Sequence, residues 1–143
     1  MASLDSVPDE SNQASFVRWV DRYLLSDGSI SCAALDIYAA RCGVVHAFSA
    51  DSKLHRDGRA NRICYAWGIA KAEDLKRASA ALGYQDLSLH IDDLVIAFRR
   101  AVANHLDMIE SDALARERFD NAIGMWFSNL NRRNMDDFLK IVG

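Results

Sequence analysis

Pro8 is the only proline in the 143 residues. A proline removes a backbone donor and clashes with the preceding helical turn, so a chain without one after residue 8 is free to form long, uninterrupted helices. The apolar residues bear this out, recurring at spacings of three and four over most of the length. Phe16, Trp19, Val20, Tyr23 and Leu24 mark a helix over Ala14–Leu25, and Ser26-Asp27-Gly28 follows with turn chemistry. Leu35, Tyr38, Cys42 and Val45 mark a second over Ser31–Phe48, with serines ahead of it suited to capping. Lys71–Leu82 reads as a third helix, closed by Gly83 as a left-handed cap. Ser88 is read as opening the longest helix, along which Leu94, Phe98, Ala101, His105 and Ile109 recur. Phe119, Ile123, Trp126, Phe127 and Leu130 suggest another, and Met135–Val142 a short last one. The expected fold is all-α, a single-domain bundle of five or six helices. Only Arg62–Gly68 has strand-like composition, and seven residues fit a short helix as well as an extended piece.

Half the residues are apolar and 26% are charged, which is globular composition, and the length suits one domain. That domain is expected over residues 13–143, after an acidic segment, residues 1–12, expected to be disordered. Asp5, Asp9 and Glu10 give the segment its charge, and with no basic or apolar stretch it reads as neither a signal nor a transit peptide. These three acids also account for the formal net charge of −3, leaving the body balanced. Any nucleic-acid partner must therefore use a local patch rather than the global field. No apolar run approaches a membrane span. Cys32, Cys42 and Cys64 are an odd number without a C-x-x-C pair, as expected of reduced, buried thiols in a cytoplasmic protein of bacterial type. His46, His55, His90 and His105 lack close zinc-ligand spacing, so neither a metal nor another cofactor is expected. The glycine-rich phosphate and dinucleotide motifs and the nucleophile elbow are absent. Asp92-Asp93 and Asp136-Asp137 point to different helix faces and suit helix N-termini better than acid–base pairing. His105 lies on the apolar stripe of the longest helix, where a satisfied core histidine is the expected role.

One stretch carries candidate chemistry. In Ala40–Phe48 (ARCGVVHAF), Arg41 is followed after four residues by His46, with the aromatic Phe48 two places further on. The sequence here resembles the HEPN family, small helical-bundle proteins whose signature is an arginine, four to six residues, then a histidine. The residue after the arginine, often polar in that family, is Cys42. The resemblance implies binding of RNA, and metal-independent cleavage of it by active members, from a homodimer that joins two motifs. Attack by a 2′-hydroxyl needs proton transfer, for which an imidazole titrating near neutrality is suited. The charge developing on the phosphate needs a fixed cation, which a guanidinium supplies with a planar fork of donors. His46 would be the acid–base group and Arg41 the phosphate clamp.

Five residues along an unbroken helix leave two side chains roughly 140° apart around the axis and about 7.5 Å along it. Cooperation between Arg41 and His46 thus requires either a break near Gly43 or a composite site across a two-fold axis. The plainer alternative makes Arg41 an ion-pair residue and His46 an interhelical hydrogen-bonding one. Directly after the motif, Lys53, His55, Arg56, Arg59 and Arg62 are opposed only by Asp51 and Asp57, and Tyr65 and Trp67 follow. As a site this is an RNA-binding segment with phosphate contacts and base stacking. As ordinary structure it is a solvated loop whose aromatics turn into the core. Two further functions fit the same chain: a non-catalytic module binding a partner protein through a groove at Trp67 or Trp126, and a small-molecule sensor using the bundle interior.

Overall fold

The computed structural model of the protein describes residues 12–47 and 51–127. The expectations for the acidic segment up to residue 11, for Phe48, for Leu130 and for a helix over Met135–Val142 lie outside those residues. Within them the chain is mostly helical, with six α-helices. Helix α1 (Asn12–Trp19) runs straight into a π-helical turn (Val20–Leu24), and together they deliver Trp19, Val20, Tyr23 and Leu24 to the core. The predicted turn follows: Gly28 adopts φ +70°, and Asp27 Oδ1 accepts from the Ser29 amide at 3.0 Å.

Helix α2 (Ala34–Ala47) is unbroken through Gly43. Its start is organised by Asp36, buried in the first turn, whose Oδ2 accepts from the Ala33 amide at 2.9 Å. That carboxylate takes the capping part expected of the serines. The buried face is also not the expected stripe. Ala34, Asp36, Ala39 and Gly43 face inward, whereas Val44 and Val45 are exposed. Apolar residues surround this helix almost completely, so periodicity alone does not select the face that packs.

Helix α3 (Lys53–Arg56) is a single turn opened by a capping box. Ser52 Oγ accepts from the His55 amide at 3.4 Å, and His55 Nδ1 accepts from the Ser52 amide at 3.1 Å. There follow strand β1 (Ile63–Ala66), helix α4 (Ala72–Ala81), strand β2 (Leu87–His90), the 21-residue helix α5 (Ile91–Ser111) and helix α6 (Ala113–Phe127). The two strands pair in parallel, Ile63 opposite Leu87 through Ala66 opposite His90, with α4 as the crossover. Parallel neighbours need such a connection, and Gly83 closes α4 with φ +83° as the sequence indicates.

Two features thus depart from an uninterrupted bundle. Ile63–Ala66 resolves the strand-or-helix alternative in favour of a strand. Ser88 does not open the longest helix but sits mid-strand, and α5 starts at Ile91, with His90 Nδ1 accepting from the Asp92 amide at 3.2 Å. Asp92 and Asp93 do fall in its first turn. The core gathers Trp19, Val20, Tyr23, Leu24 and Ile30 against Ile63, Leu89, Ala97 and Ala101. Small residues on α5 let the aromatic rings approach its backbone closely. His105, fully buried, stands edge-on to Tyr23 with ring centroids 4.8 Å apart, the core role expected of it.

Arg62 and Asp86 each stand one residue ahead of a strand, so the register places them side by side. Arg62 donates to Asp86 through Nε at 2.9 Å and Nη2 at 2.7 Å. Ser79 Oγ of α4 donates to Asp86 at 2.8 Å, and Cys64 Sγ at 3.5 Å. Hydrogen bonding from Arg62 holds the Asp86 carboxyl below its usual range, against the opposing effect of burial. A carboxylate lowered in this way stabilises the fold above its unfolded pKa, about 3.9, and that stabilisation is lost as pH falls through the folded value. Asp86→Asn should therefore cost about 2–3 kcal/mol at pH 7, roughly 6–12 °C in Tm, because Arg62 loses its counter-charge. Between pH 5 and pH 2 the wild type should lose Tm more steeply than the variant. Parallel Tm–pH curves would contradict the assignment.

Candidate functional site

The segment from α3 to β1 and the loop between α4 and β2 meet at the amino ends of the strands. Asn61 is fixed there by the buried Asp36, whose Oδ1 accepts from the Asn61 amide at 2.6 Å and from its Nδ2 at 3.3 Å. Arg62 is fixed by Asp86, and its guanidinium lies over the Tyr84 ring, 4.9 Å from the centroid. Between these groups opens a cleft of ≈ 340 Å³ lined by Asp51, His55, Arg56, Ala60, Asn61, Arg62, Tyr84, Gln85 and Asp86. Lys53, Arg56 and Arg59 are exposed, and among the described residues no acidic group pairs with their side chains.

The cations predicted as an RNA-binding segment are thus divided by the fold. Lys53, Arg56 and Arg59 remain available, whereas Arg62 is committed to Asp86, with Asp51 at 3.9 Å on its other side. His55 uses Nδ1 in the α3 capping box, which leaves the ring hydrogen on Nε2. The two aromatics also separate. Tyr65 is half-buried against the core, the ordinary structural alternative, whereas Trp67 is 71% exposed on the turn between β1 and α4. Beside Trp67, Gly68 takes φ +61° and Ile69 is fully exposed.

Arg41 is exposed on α2, its guanidinium 5.5 Å from the Phe16 ring centroid, and no acid pairs with it among the described residues. His46 belongs to the last turn of the same unbroken helix. The alternative in which the backbone opens near Gly43 is therefore overturned. Regular helix geometry holds the two positions roughly 140° apart around the axis, so one copy does not bring them together. The neighbouring Cys42 lies in reach of the Tyr38 hydroxyl, which that contact holds above its ordinary range.

Elsewhere, a cavity of ≈ 310 Å³ between α1, its π turn, α2 and α5 is lined only by apolar groups, among them Phe16, Trp19, Ile37 and Phe98. It could take an aliphatic or aromatic group but has no polar group to orient one. Among the described residues no three His, Cys, Asp or Glu side chains stand close enough to hold a metal, and no helix is long and apolar enough to cross a membrane. No protein-family model, curated protein or solved structure matches this chain.

Asn61, Tyr84, Gln85 and Asp86 were not singled out by sequence reasoning. The available signal was positional: a charged residue directly precedes each of two short segments, ICYA and LSLH, with alternating or continuous apolar character. Pairing the two in parallel register brings Arg62 to Asp86 and carries Tyr84 and Gln85 to the α3 side.

Burial raises the Cys32 thiol to about 11, and burial together with the Asp86 contact raises Cys64. Since the thiolate is the reactive species, iodoacetamide at pH 8 should leave both largely unmodified until the protein is denatured. Peptide mass spectrometry before and after denaturation reads this directly. Rapid alkylation of Cys64 in the folded state would count against a closed Arg62–Asp86–Cys64 cluster.

Proposed function

We propose that this protein is a HEPN-like, RNA-binding protein that acts as a two-fold dimer and cuts single-stranded RNA without a metal. The observation that carries the reading is the set of exposed cations on and after α3, Lys53, Arg56 and Arg59, none of them ion-paired among the described residues, of which Arg56 lines a polar cleft walled by Tyr84. Such a set engages a phosphate backbone despite an overall negative chain, because counterion release depends on local contacts.

Cleavage is assigned to Arg41 and His46 acting across the dimer axis. One observation favours that assembly: Val44 and Val45, between the two motif residues, are 60% and 55% exposed. A two-fold contact through the end of α2 would cover them and supply the second motif that a single unbroken helix lacks. In the assembled site His46 removes the proton from the attacking 2′-hydroxyl or returns one to the leaving 5′-oxygen. Arg41 from the opposite copy bears on the non-bridging oxygens as charge develops.

A second reading, a non-catalytic module that docks a partner protein, is favoured by the exposure of Trp67 and Ile69 on one tight turn. A photoreactive phenylalanine derivative at position 67 separates the two: cross-links to added RNA support the first, and failure to reach RNA at saturation supports the second.

The purified chain should cut single-stranded RNA in excess EDTA and spare DNA, and light scattering should give about twice the mass of one chain. His46→Ala should slow cleavage by about 10²–10⁴-fold with the dimer intact. Arg41→Lys should also slow it, since an ammonium keeps charge but loses the two-pronged geometry. Exchanging Arg56 and Arg59 together for Ala should weaken binding and flatten the log–log salt dependence by about 1.4, two phosphate contacts' worth. Cleavage unchanged in His46→Ala would refute the mechanism, and a monomer at high micromolar concentration would refute the composite site.

A further inference from the structure

The cleft at the amino ends of β1 and β2 is a different place from the α2 motif, and its lining is of a different kind. Two arginines and two aspartates line it, but both aspartates face Arg62, which leaves Arg56 as its one arginine without an acidic partner among the described residues. Asp86 is almost completely consumed by Arg62, Ser79 and Cys64. What remains for a ligand is planar and amide-like. Tyr84 is 54% exposed although a guanidinium covers one of its faces, so the ring keeps an open face. The Arg62 plane is fixed by two hydrogen bonds to Asp86, and this wall is set before anything binds, which limits the ordering cost of binding.

Two carboxamides adjoin the ring. Gln85 is exposed and makes no hydrogen bond among the described residues, so it can donate and accept. Asn61 spends its Nδ2 on Asp36 Oδ1, which settles the orientation of its amide and leaves Oδ1 as the acceptor. An acceptor of fixed sense selects a ligand edge that carries N–H groups. The cavity, ≈ 340 Å³, lies at the small end of small-molecule sites and suits one nucleoside rather than two.

We propose that this cleft is a nucleobase pocket: an unpaired base bearing an exocyclic amine, adenine above all, stacks on Tyr84, and Asn61 Oδ1 and Gln85 read its edge. Resting on the RNA-binding reading, it supplies the base preference that Lys53, Arg56 and Arg59 lack as phosphate contacts. A carboxamide pairs its oxygen and nitrogen with adenine N6 and N7, whereas uracil has no exocyclic amine and can meet the Asn61 acceptor only through its ring N3–H. The same chemistry could be met by a free adenine nucleotide or by a base within a strand, and the two sources are separable.

Anisotropy with labelled A12 and U12 RNA, on the intact 143-residue chain with its cleavage motif disabled by His46→Ala, reads the preference. A12 should bind more tightly than U12. Tyr84→Ala should weaken A12 by roughly five- to 150-fold, the range for losing one stacked base. Tyr84→Phe should retain the affinity. Gln85→Ala, at an exposed position without partners, should keep the fold and narrow the difference between the two RNAs. Titration with AMP and UMP, followed on the Gln85 side-chain amide by NMR, is the second arm. Shifts with AMP but none with RNA would support the pocket with a free nucleotide as its ligand and sink the RNA reading. Equal affinity for A12 and U12, indifferent to Tyr84→Ala and Gln85→Ala but reduced by the Arg56 and Arg59 exchange, would overturn the pocket and leave RNA binding standing. No response to either RNA or AMP would overturn both.

Discussion

Four hydrogen bonds converge on the Asp86 carboxylate, from Arg62 twice, from Cys64 and from Ser79, and they join the start of β1, the crossover helix and the start of β2. A two-stranded parallel pair has few ladder bonds of its own and is the least self-sufficient element in the chain. It persists because its faces are covered by helices and because this cluster fixes the strands' common origin. The Arg62 and Asp86 side chains are 30% and 9% exposed, so the pair is shielded enough for its geometry to matter more than for a surface ion pair. Its consequence is positional. Once Asp86 is held beside Arg62, Tyr84 and Gln85 must lie beside α3, and the cleft exists.

A second buried carboxylate does the same work one layer away. Asp36 caps α2 and reaches twenty-five residues along the chain to bind both nitrogens of Asn61. The polar connections therefore run between segments, while the apolar core runs between helices, Trp19 and Tyr23 against the small face of α5 at Ala97 and Ala101. This division explains why the molecule can carry a polar cleft beside its core: Asp36, Asn61, Arg62 and Asp86, which shape the cleft, bond to polar partners rather than to the apolar cluster.

The two candidate chemistries sit in correspondingly different settings. Arg41 and His46 are positions on one regular helix, whose period separates them, so any joint action belongs to an assembly rather than to the fold of one copy. The cleft belongs to the fold itself. Arg56, the Tyr84 ring and the carboxamides of Asn61 and Gln85 line it together.

The sequence by itself determined the longer helices (though not the single turn of α3), the turns at Gly28 and Gly83, the core role of His105 and the position of a basic segment after α2. Those are properties of residues within a turn or two of one another, and the missing prolines and the three-and-four spacing encode them directly. Tertiary structure decided which side of α2 is inside, because a helix apolar on nearly every side packs whichever face its neighbours accept. It also decided that Ile63–Ala66 and Leu87–His90 are strands. Four residues carry too little periodicity to choose, and the choice is made by a partner more than twenty residues away. The same distance hid the cleft. Arg62 looked like one more cation in a basic run until Asp86 neutralised it, and Tyr84 and Gln85 looked like loop residues until the register set them opposite Asn61. Local spacing cannot express a contact whose two halves are brought together only by strand pairing.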